Sequence, residues 1–292
     1  MMPSLNWNSA IHYAKLVQLS ESTPPNCDNA QLTSALASVG YRYLETMYAN
    51  ELATAMDPHR GDVRSFGFLA LSASGELVAC LRGTATILEW IHDGACLLVP
   101  SPIPGSKGLT EDGFTSIYKS LRVGKAVTSA LVREAIGKRL ADGGVTAVTI
   151  CGHSLGAALA TLVALDTALH TPCKDPSLYT FASPRVGNPL FAEALDAAVP
   201  RSYRIANRQD LVTHLPPMLP LPYEHVNTKY ELNSPRGAIR PTIACMHHLT
   251  SYIWLMEQAC GVAGNPPSGD CITVGLPPMD QVTQSPAQQP QA

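Results

Sequence analysis

Residues 149–158 read TICGHSLGAA, and this stretch decides the fold of the chain. Its centre fits the pattern G-x-S-x-G, with Ser154 as the serine. An apolar, β-branched run from Val145 to Cys151 precedes the pattern, and a helical run of small apolar residues follows it. Strand, glycine-flanked serine and helix, in that order, are typical of a nucleophile elbow. The alternative is an ordinary strand-to-helix turn with a serine on the surface.

The geometry of such a turn explains the residue types at its centre. The serine is held in a strained backbone conformation, and the flanking glycines let neighbouring backbone approach without a Cβ clash. The N–H of Leu155 then lies at a helix N-terminus, where an unpaired N–H and the helix dipole favour a developing negative charge. Ser154 is therefore the candidate nucleophile, and Leu155 is one candidate donor of an oxyanion hole.

The composition is that of a globular protein with a sizeable core. The chain has 292 residues, of which 46% are hydrophobic, and a formal net charge of only −3. No basic patch indicates a nucleic acid partner, and no apolar run reaches the roughly 18 residues of a transmembrane segment. Strands that alternate with helices predict a mainly parallel α/β sheet in one domain, residues 1–274. A Pro/Gln-rich flexible tail is expected at 275–292.

Hydrophobic spacing predicts the other elements. Apolar and aromatic residues recur at helical spacing between Leu32 and Met47, which predicts a helix over about 29–55. Two apolar runs, 66–72 and 76–82, flank the sequence Ala-Ser-Gly and predict a β-hairpin. Further helices are predicted over about 11–19, 114–122, 127–140, 191–198 and 250–260, and strands at about 178–187, 202–206 and 223–232.

The chain start and the cysteines bear on the cellular compartment. The first eight residues lack the basic and apolar regions of a signal peptide, so we expect either a cytoplasmic protein or a secreted one whose signal has been removed. Of the eight cysteines, Cys260 and Cys271 bracket a Gly/Pro-rich loop and are a candidate disulfide in an oxidising compartment. Free thiols are the alternative. No C-x-x-C pair indicates a thiolate zinc site.

A serine nucleophile needs a base and an acid. The base is usually a histidine that an acid orients, and sheets with a nucleophile elbow have the chain order serine, acid, histidine. Asp210 follows a predicted strand, where open α/β sheets keep their active sites. It is the candidate acid, with a loop-capping role as the alternative. His247 and His248 both lie after Asp210, and the order alone does not choose between them.

An oxyanion hole needs a second donor besides Leu155. The pair Gly83-Thr84 ends the second strand of the predicted hairpin. Thr84 offers a backbone N–H and a hydroxyl there, and such a donor typically contributes about a hundred- to a thousand-fold in rate. An ordinary strand-end turn residue is the alternative.

Together these stretches resemble the class 3 (fungal-type) lipase family of α/β hydrolases. The matching pieces follow the family's order and span about residues 79–255. They are LRGT at 81–84, WIHD at 90–93, GHSLGAALA at 152–160, TFASPRVGN at 180–188, YRI at 203–205 with Asp210, LPP at 215–217, YEHV at 223–226 and HHL at 247–249 with Tyr252.

The resemblance implies an α/β-hydrolase fold, with a mainly parallel central sheet, flanking helices and an apolar helical lid at about 85–104. It also implies a role for each candidate of the site. Ser154 is the nucleophile, Asp210 is the acid, and Thr84 and Leu155 form the oxyanion hole.

Two features of the family pattern bear on the base. A histidine followed by an aliphatic residue two positions later and a tyrosine five positions later favours His247, whereas members with the histidine directly before leucine favour His248. The chain also departs from the pattern. Glu111 stands where a histidine is common, and Ala182 stands where a glycine is usual.

The resemblance implies a serine ester hydrolase, most directly a triacylglycerol lipase that forms an acyl-enzyme on Ser154 without a metal or an organic cofactor. The substrate partner is then an ester or lipid at a lipid–water interface. The lid is expected to open there, because an exposed apolar loop is costly in water unless it covers something. The alternatives are an esterase on soluble or aryl esters (feruloyl-esterase-like), a phospholipase A1 and a non-catalytic lipid-binding module.

Overall fold

The computed structural model describes residues 4–22, 29–50, 62–84, 96–226, 228–234, 238–262 and 271. Helices in this part of the chain are α1 (Trp7–Ser22), α2 (Asn29–Ser38), α3 (Asp112–Ser120), α4 (Val132–Ala141), α5 (Leu155–His170), α6 (Pro189–Ala198), α7 (Ile243–His247) and α8 (Leu249–Ala259). Strands are β1 (Tyr41–Asn50), β2 (Val63–Ser72), β3 (Glu76–Leu81), β4 (Leu98–Pro100), β5 (Leu109–Glu111), β6 (Arg122–Val123), β7 (Ala130–Leu131), β8 (Ala147–His153), β9 (Ser177–Phe181), β10 (Ser202–Asn207) and β11 (Lys229–Leu232).

One mixed sheet organises the described residues. Its strand order is β11-β10-β9-β8-β3-β2-β1-β6-β7, and the strands from β3 to β11 in this order run parallel. The remaining strands are antiparallel, and β4 and β5 form a separate two-stranded ribbon. This is the mainly parallel sheet that the sequence predicts.

Helices cover both faces of the sheet, so its central strands carry apolar residues on both sides. Along β3, Leu77, Ala79 and Leu81 pack into the core that α3, α4, α5 and α6 complete. Val78 and Cys80, which alternate with them, pack into the second core with α1, α2 and α8. Successive side chains of a strand point to opposite faces, and this alternation builds two cores from one strand.

The structure confirms the predicted elements around the elbow. β8 and α5 are the strand and helix expected on either side of Ser154. β2 and β3 form the predicted antiparallel hairpin. α3, α6, α8, β9, β10 and β11 lie within six residues of their predicted bounds. The helix predicted over 127–140 begins only at Val132, because β7 takes the two residues before it.

The long helix predicted over 29–55 is wrong. Helix α2 ends at Ser38, and Tyr41–Asn50 form β1, which pairs with β2. Gly40 separates the two elements with a φ of +85°, a conformation that glycine adopts without strain. Residues 51–55 lie outside the described part of the chain.

The expected disulfide between Cys260 and Cys271 is also wrong. Cys271 is bonded to Cys245, a residue of α7, and Cys260 carries a free, partly buried thiol. The Cα atoms of Cys245 and Cys271 lie 5.1 Å apart, within the usual range for a disulfide. The tail at 275–292 lies outside the described residues. None of the described helices is both long and apolar enough to span a membrane.

We predict that Cys245→Ser lowers the free energy of unfolding, because the disulfide joins residues 26 positions apart. A loop of this size is worth about 2–4 kcal/mol. Thermal unfolding without reductant measures the loss, and Cys260→Ser is the matched control with a much smaller effect. A non-reduced digest should contain a peptide pair linked through Cys245 and Cys271. A Cys260–Cys271 pair would contradict the connectivity.

Candidate active site

Ser154 lies in a sharp turn at the end of β8. The strand ends at His153, α5 begins at Leu155, and Ser154 between them has φ 56° and ψ −124°. Positive φ is costly for a residue with a side chain, at about 1–3 kcal/mol. A hydrogen bond from the Ser154 N–H to the carbonyl of Phe181 in β9, at 3.0 Å, helps to hold this conformation.

Close backbone approach requires glycine on both sides of the serine. A Cβ atom on Gly152 would lie 2.2 Å from the carbonyl oxygen of Gly156. A Cβ atom on Gly156 would lie 2.4 Å from the carbonyl oxygens of both Leu81 and Arg82. Contacts this short exclude any side chain, so the two glycines of the motif let α5 start directly against β3.

His247 and Asp210 continue a hydrogen-bonded chain from the serine. The Nε2 atom of His247 lies 2.7 Å from Oγ of Ser154, and its Nδ1 atom lies 2.9 Å from Oδ2 of Asp210. All three side chains are buried. His247 ends α7, and Asp210 follows β10, at the same edge of the sheet as the elbow. The structure thus brings together three residues that are far apart in the sequence.

Two neighbours besides His247 fix the carboxylate of Asp210. Its Oδ1 accepts a hydrogen bond from the N–H of Val212 at 3.0 Å, and its Oδ2 accepts one from the hydroxyl of Tyr252 at 2.7 Å. The same hydroxyl accepts a hydrogen bond from the N–H of Asn207 at 2.9 Å. Asp210 also caps the short 3₁₀ turn at 211–214, so its loop-capping role coexists with its contact to His247.

His248 does not reach Ser154 in this arrangement. Its side chain caps the start of α8, where Nδ1 accepts hydrogen bonds from the N–H of Thr250 at 3.3 Å and from its hydroxyl at 2.8 Å. The imidazole of His248 is exposed, whereas that of His247 is buried. Of the two histidines that the sequence leaves open, His247 is the one that contacts the serine.

Two backbone segments lie next to Ser154. Leu155 is the first residue of α5, and the first N–H groups of a helix have no partner within the helix. A Cβ atom on Gly83 would lie 3.1 Å from Cβ of Ser154, so the Gly83-Thr84 turn passes directly beside the serine. Thr84 is buried there. Both expected oxyanion donors therefore lie next to the nucleophile candidate.

Burial tunes the imidazole of His247. It lowers the pKa of His247 below the ordinary 6.5, an effect that the hydrogen bond to Asp210 partly offsets. A lowered pKa keeps the ring neutral and ready to accept a proton near neutral pH. Among the described residues, no group of three or more His, Cys, Asp or Glu side chains is arranged to hold a metal ion.

The predicted lid at 85–104 lies partly outside the described residues, at 85–95. Its described end is not helical, because Leu98–Pro100 form β4 and pair with β5. The hydroxyl of Tyr223 donates to the carbonyl oxygens of Cys96 and Leu97 at 3.0 and 3.2 Å. The Leu97 side chain itself is 56% exposed.

Two contacts of the site could not be predicted from the sequence. Nδ1 of His153 lies 2.7 Å from Oε1 of Glu21 on α1, although the two residues are 132 positions apart. No motif joins them, and only the packing of α1 against the sheet brings them together. The site also includes the hydroxyl of Tyr252, whose spacing from His247 was visible in the sequence but whose contact with Asp210 was not.

Parallel strands that lead into a nucleophile elbow, with a histidine and a carboxylate in line behind the serine, are typical of serine-dependent α/β hydrolases. By its fold and this arrangement the chain falls in that class. The sequence model of the family lipase (class 3) matches residues 78–219. Over this segment, just under half of its length, the chain is similar to the class 3 lipase family.

Known proteins with similar sequences carry lipase and phospholipase names. The chain is 37% identical over 155 residues to the chloroplastic phospholipase A(1) DAD1 of Arabidopsis thaliana, covering 48% of this chain and 34% of that protein. It is 33% identical over 179 residues to the secreted mono- and diacylglycerol lipase A of Penicillium cyclopium, covering 59% of this chain and 53% of that protein. The matches cover about a third to three fifths of the curated relatives.

A similar fold occurs among solved structures. A mutant form of MDLA from Penicillium cyclopium superposes with a TM-score of 0.59 at 25% identity. The match covers 81% of this chain and 84% of that chain. The α/β-hydrolase architecture thus extends well beyond the segment that the family model matches.

We predict that a fluorophosphonate probe labels Ser154, and that the labelling rate rises with pH through a midpoint below 6.5. His247 accepts the serine proton only when neutral, and burial lowers its pKa. The rate should therefore be lost as the pH falls through that lowered pKa. Mass spectrometry locates the adduct, and labelling reactions stopped at successive times at each pH give the rate. A midpoint above pH 7 would contradict this role of burial.

Proposed function

We propose that the chain is a carboxylic ester hydrolase that releases fatty acids from lipids, most directly a triacylglycerol lipase. One observation carries the proposal: the hydrogen-bonded line from Oγ of Ser154 through the imidazole of His247 to the carboxylate of Asp210. A serine at an elbow is a weak nucleophile by itself, and this line is what activates it.

The chemistry proceeds in two halves. Nε2 of His247 takes the hydroxyl proton as Oγ of Ser154 attacks the ester carbonyl carbon, which gives a tetrahedral oxyanion. The N–H groups of Leu155 and Thr84 stabilise the negative oxygen. The intermediate collapses to an acyl-enzyme, and His247 returns its proton to the departing alcohol. Water then attacks the acyl-enzyme by the same steps and releases the fatty acid.

Asp210 acts on the base rather than on the substrate. Its carboxylate accepts the Nδ1–H of His247, which fixes the tautomer and stabilises the imidazolium that forms during attack. The bonds from Val212 and Tyr252 hold that carboxylate in one orientation. No step of this sequence requires a metal ion or an organic cofactor.

Lipid esters are the proposed substrates for two reasons. Relatives are named mono- and diacylglycerol lipase and phospholipase A(1), which are enzymes of acylglycerols and phospholipids by name. A large apolar side chain is also exposed beside the site: Leu211, next to Asp210, is 54% exposed. Phospholipase A1 is the second candidate, because six similar relatives carry that name.

We predict that Ser154→Ala and His247→Ala each lower kcat on a p-nitrophenyl ester by about 10⁴- to 10⁶-fold, as loss of a triad member does. His248→Ala is the matched control, because it removes the neighbouring imidazole and only the cap of α8. It should change kcat by no more than a few fold. Near-wild-type turnover by Ser154→Ala would refute the proposed function, and a large loss confined to His248→Ala would reassign the base.

We also predict that hydrolysis accelerates once a triacylglycerol substrate passes its solubility limit and forms an interface. The proposed lid at about 85–104 would then open at that interface. Fatty acid release is titrated from emulsified triacylglycerol, phospholipid vesicles and soluble aryl esters at matched acyl chains. Faster release from phospholipid favours the phospholipase A1 alternative, and faster turnover of soluble aryl esters without acceleration favours the esterase alternative.

A further inference from the structure

A second acid–histidine pair lies directly behind the first. His153 precedes Ser154 in the elbow, and both of its ring nitrogens face oxygen atoms. Nδ1 lies 2.7 Å from Oε1 of Glu21, and Nε2 lies 2.8 Å from the backbone carbonyl oxygen of His247. The proposed mechanism uses neither His153 nor Glu21.

The partners determine the protonation of His153. A carbonyl oxygen only accepts hydrogen bonds, so Nε2 carries a proton. A carboxylate also only accepts, so Nδ1 carries a second proton and the ring is an imidazolium paired with Glu21. The direction of the pKa shift of His153 agrees with this charge. Burial lowers the pKa of His153, but the charge and hydrogen bond of Glu21 outweigh it, and the net pKa is raised.

Glu21 also contacts the Gly83-Thr84 turn. Its carboxylate accepts a hydrogen bond from the N–H of Gly83, the residue before Thr84. Burial raises the pKa of Glu21, but the charge of His153 and these hydrogen bonds outweigh it, so the net pKa is lowered. One carboxylate on α1 thus contacts both the elbow and the turn that carries a proposed oxyanion donor.

Aromatic and charged groups from several elements surround the two imidazoles. The rings of His153 and His247 lie 4.9 Å apart between centroids, and the ring of Tyr252 meets His153 edge-on at 6.3 Å. The charged and titratable groups that act on them are Glu21 from α1, Asp210 after β10 and His248 at the start of α8.

We propose that Glu21 is a positioning residue for the ester hydrolysis proposed above: through His153 it fixes the backbone of His247 and maintains a positive charge beside that base. The bond to the His247 carbonyl holds the base in register with Ser154. The charge on His153 opposes a second positive charge on His247 in the resting enzyme. This inference rests on the proposed function, because it concerns the base of that reaction.

The conservative variant Glu21→Gln separates charge from contact. A glutamine amide donates to Nδ1 of His153, so Nε2–H still donates to the His247 carbonyl, and the amide oxygen still accepts from Gly83. Only the charge pair is lost. The positive His153 lowers the pKa of His247 more than Glu21 raises it, so losing both charges raises that pKa. The acid limb of kcat/KM then moves to higher pH, with the plateau kcat within about threefold of wild type.

Glu21→Ala removes the contacts as well. The turn and the imidazole then lose their shared partner, and kcat falls about ten- to a hundred-fold, as small misplacements in an active site do. Glu257→Gln is the matched control. Glu257 on α8 pairs with Lys15 of α1 at 2.7 Å, so this change also removes a carboxylate contact of α1 but does not touch His153. It should leave the pH profile unchanged.

A spectroscopic measurement reports on His153 independently of activity. In ¹⁵N-histidine-labelled protein, we expect two ring N–H groups on His153 in the wild type and one in Glu21→Gln. Two outcomes overturn the inference: a wild-type pH profile in Glu21→Gln with His153 still doubly protonated, or wild-type kcat in a folded Glu21→Ala. An equal shift in Glu257→Gln overturns it too, because the effect then belongs to α1 docking in general.

The failure of the inference is distinct from the failure of the proposed function. If the wild type turns over no ester, or if Ser154→Ala is as active as the wild type, the proposed function fails, and the NMR result still reports the charge state of His153. If wild-type turnover depends on Ser154 but not on Glu21, only the inference fails.

Discussion

The positive φ of Ser154 is the constraint on which the rest of the site depends. It lifts the serine out of the sheet, at a turn where Gly152 and Gly156 let backbone segments meet with no room for a Cβ atom and where Gly83 passes closely beside the serine. The same approach brings the end of β3 against the start of α5. The nucleophile candidate and both candidate oxyanion donors are therefore held by one set of backbone contacts, and the surrounding strands supply the energy that the strained turn requires.

Much of this arrangement could be predicted from local sequence. The elbow has a motif with its own context, the central strands are short apolar runs, and Asp210 follows such a strand. Parallel strands bring their carboxyl ends to one edge of a sheet, so the acid could be located without knowing any contact. The choice between His247 and His248 required the structure, because the two residues are adjacent in the sequence and differ only in the direction in which their side chains point. The break between α7 and α8 falls at His248 and turns the two imidazoles apart.

Other parts could not be predicted, for definable reasons. Tyr43 and Met47 are four residues apart, a spacing that places two side chains on one face of a helix. In β1 they pack into different cores, because a register shift interrupts the strand between Tyr43 and Glu45. Gly40 was the available sign that the helix had ended. The disulfide partner of Cys271 was beyond sequence reasoning, because connectivity depends on which cysteines the fold brings together. Cys260 is nearer along the chain, whereas Cys245 is nearer in space.

Helix α1 shows how a site can depend on residues outside the segment that matches the family model. It precedes residues 78–219, yet it runs along β3 from one end to the other. The hydroxyl of Tyr13 donates to Glu76 at the start of the strand, at 2.6 Å, and Glu21 accepts from Gly83 just beyond its end. The second core packs the same helix against α8, which carries Tyr252. Helix α1 thus contacts both the Gly83-Thr84 turn and α8. A change that loosens α1 therefore acts on the proposed oxyanion turn and on the acid–base pair together, although neither of these lies on α1.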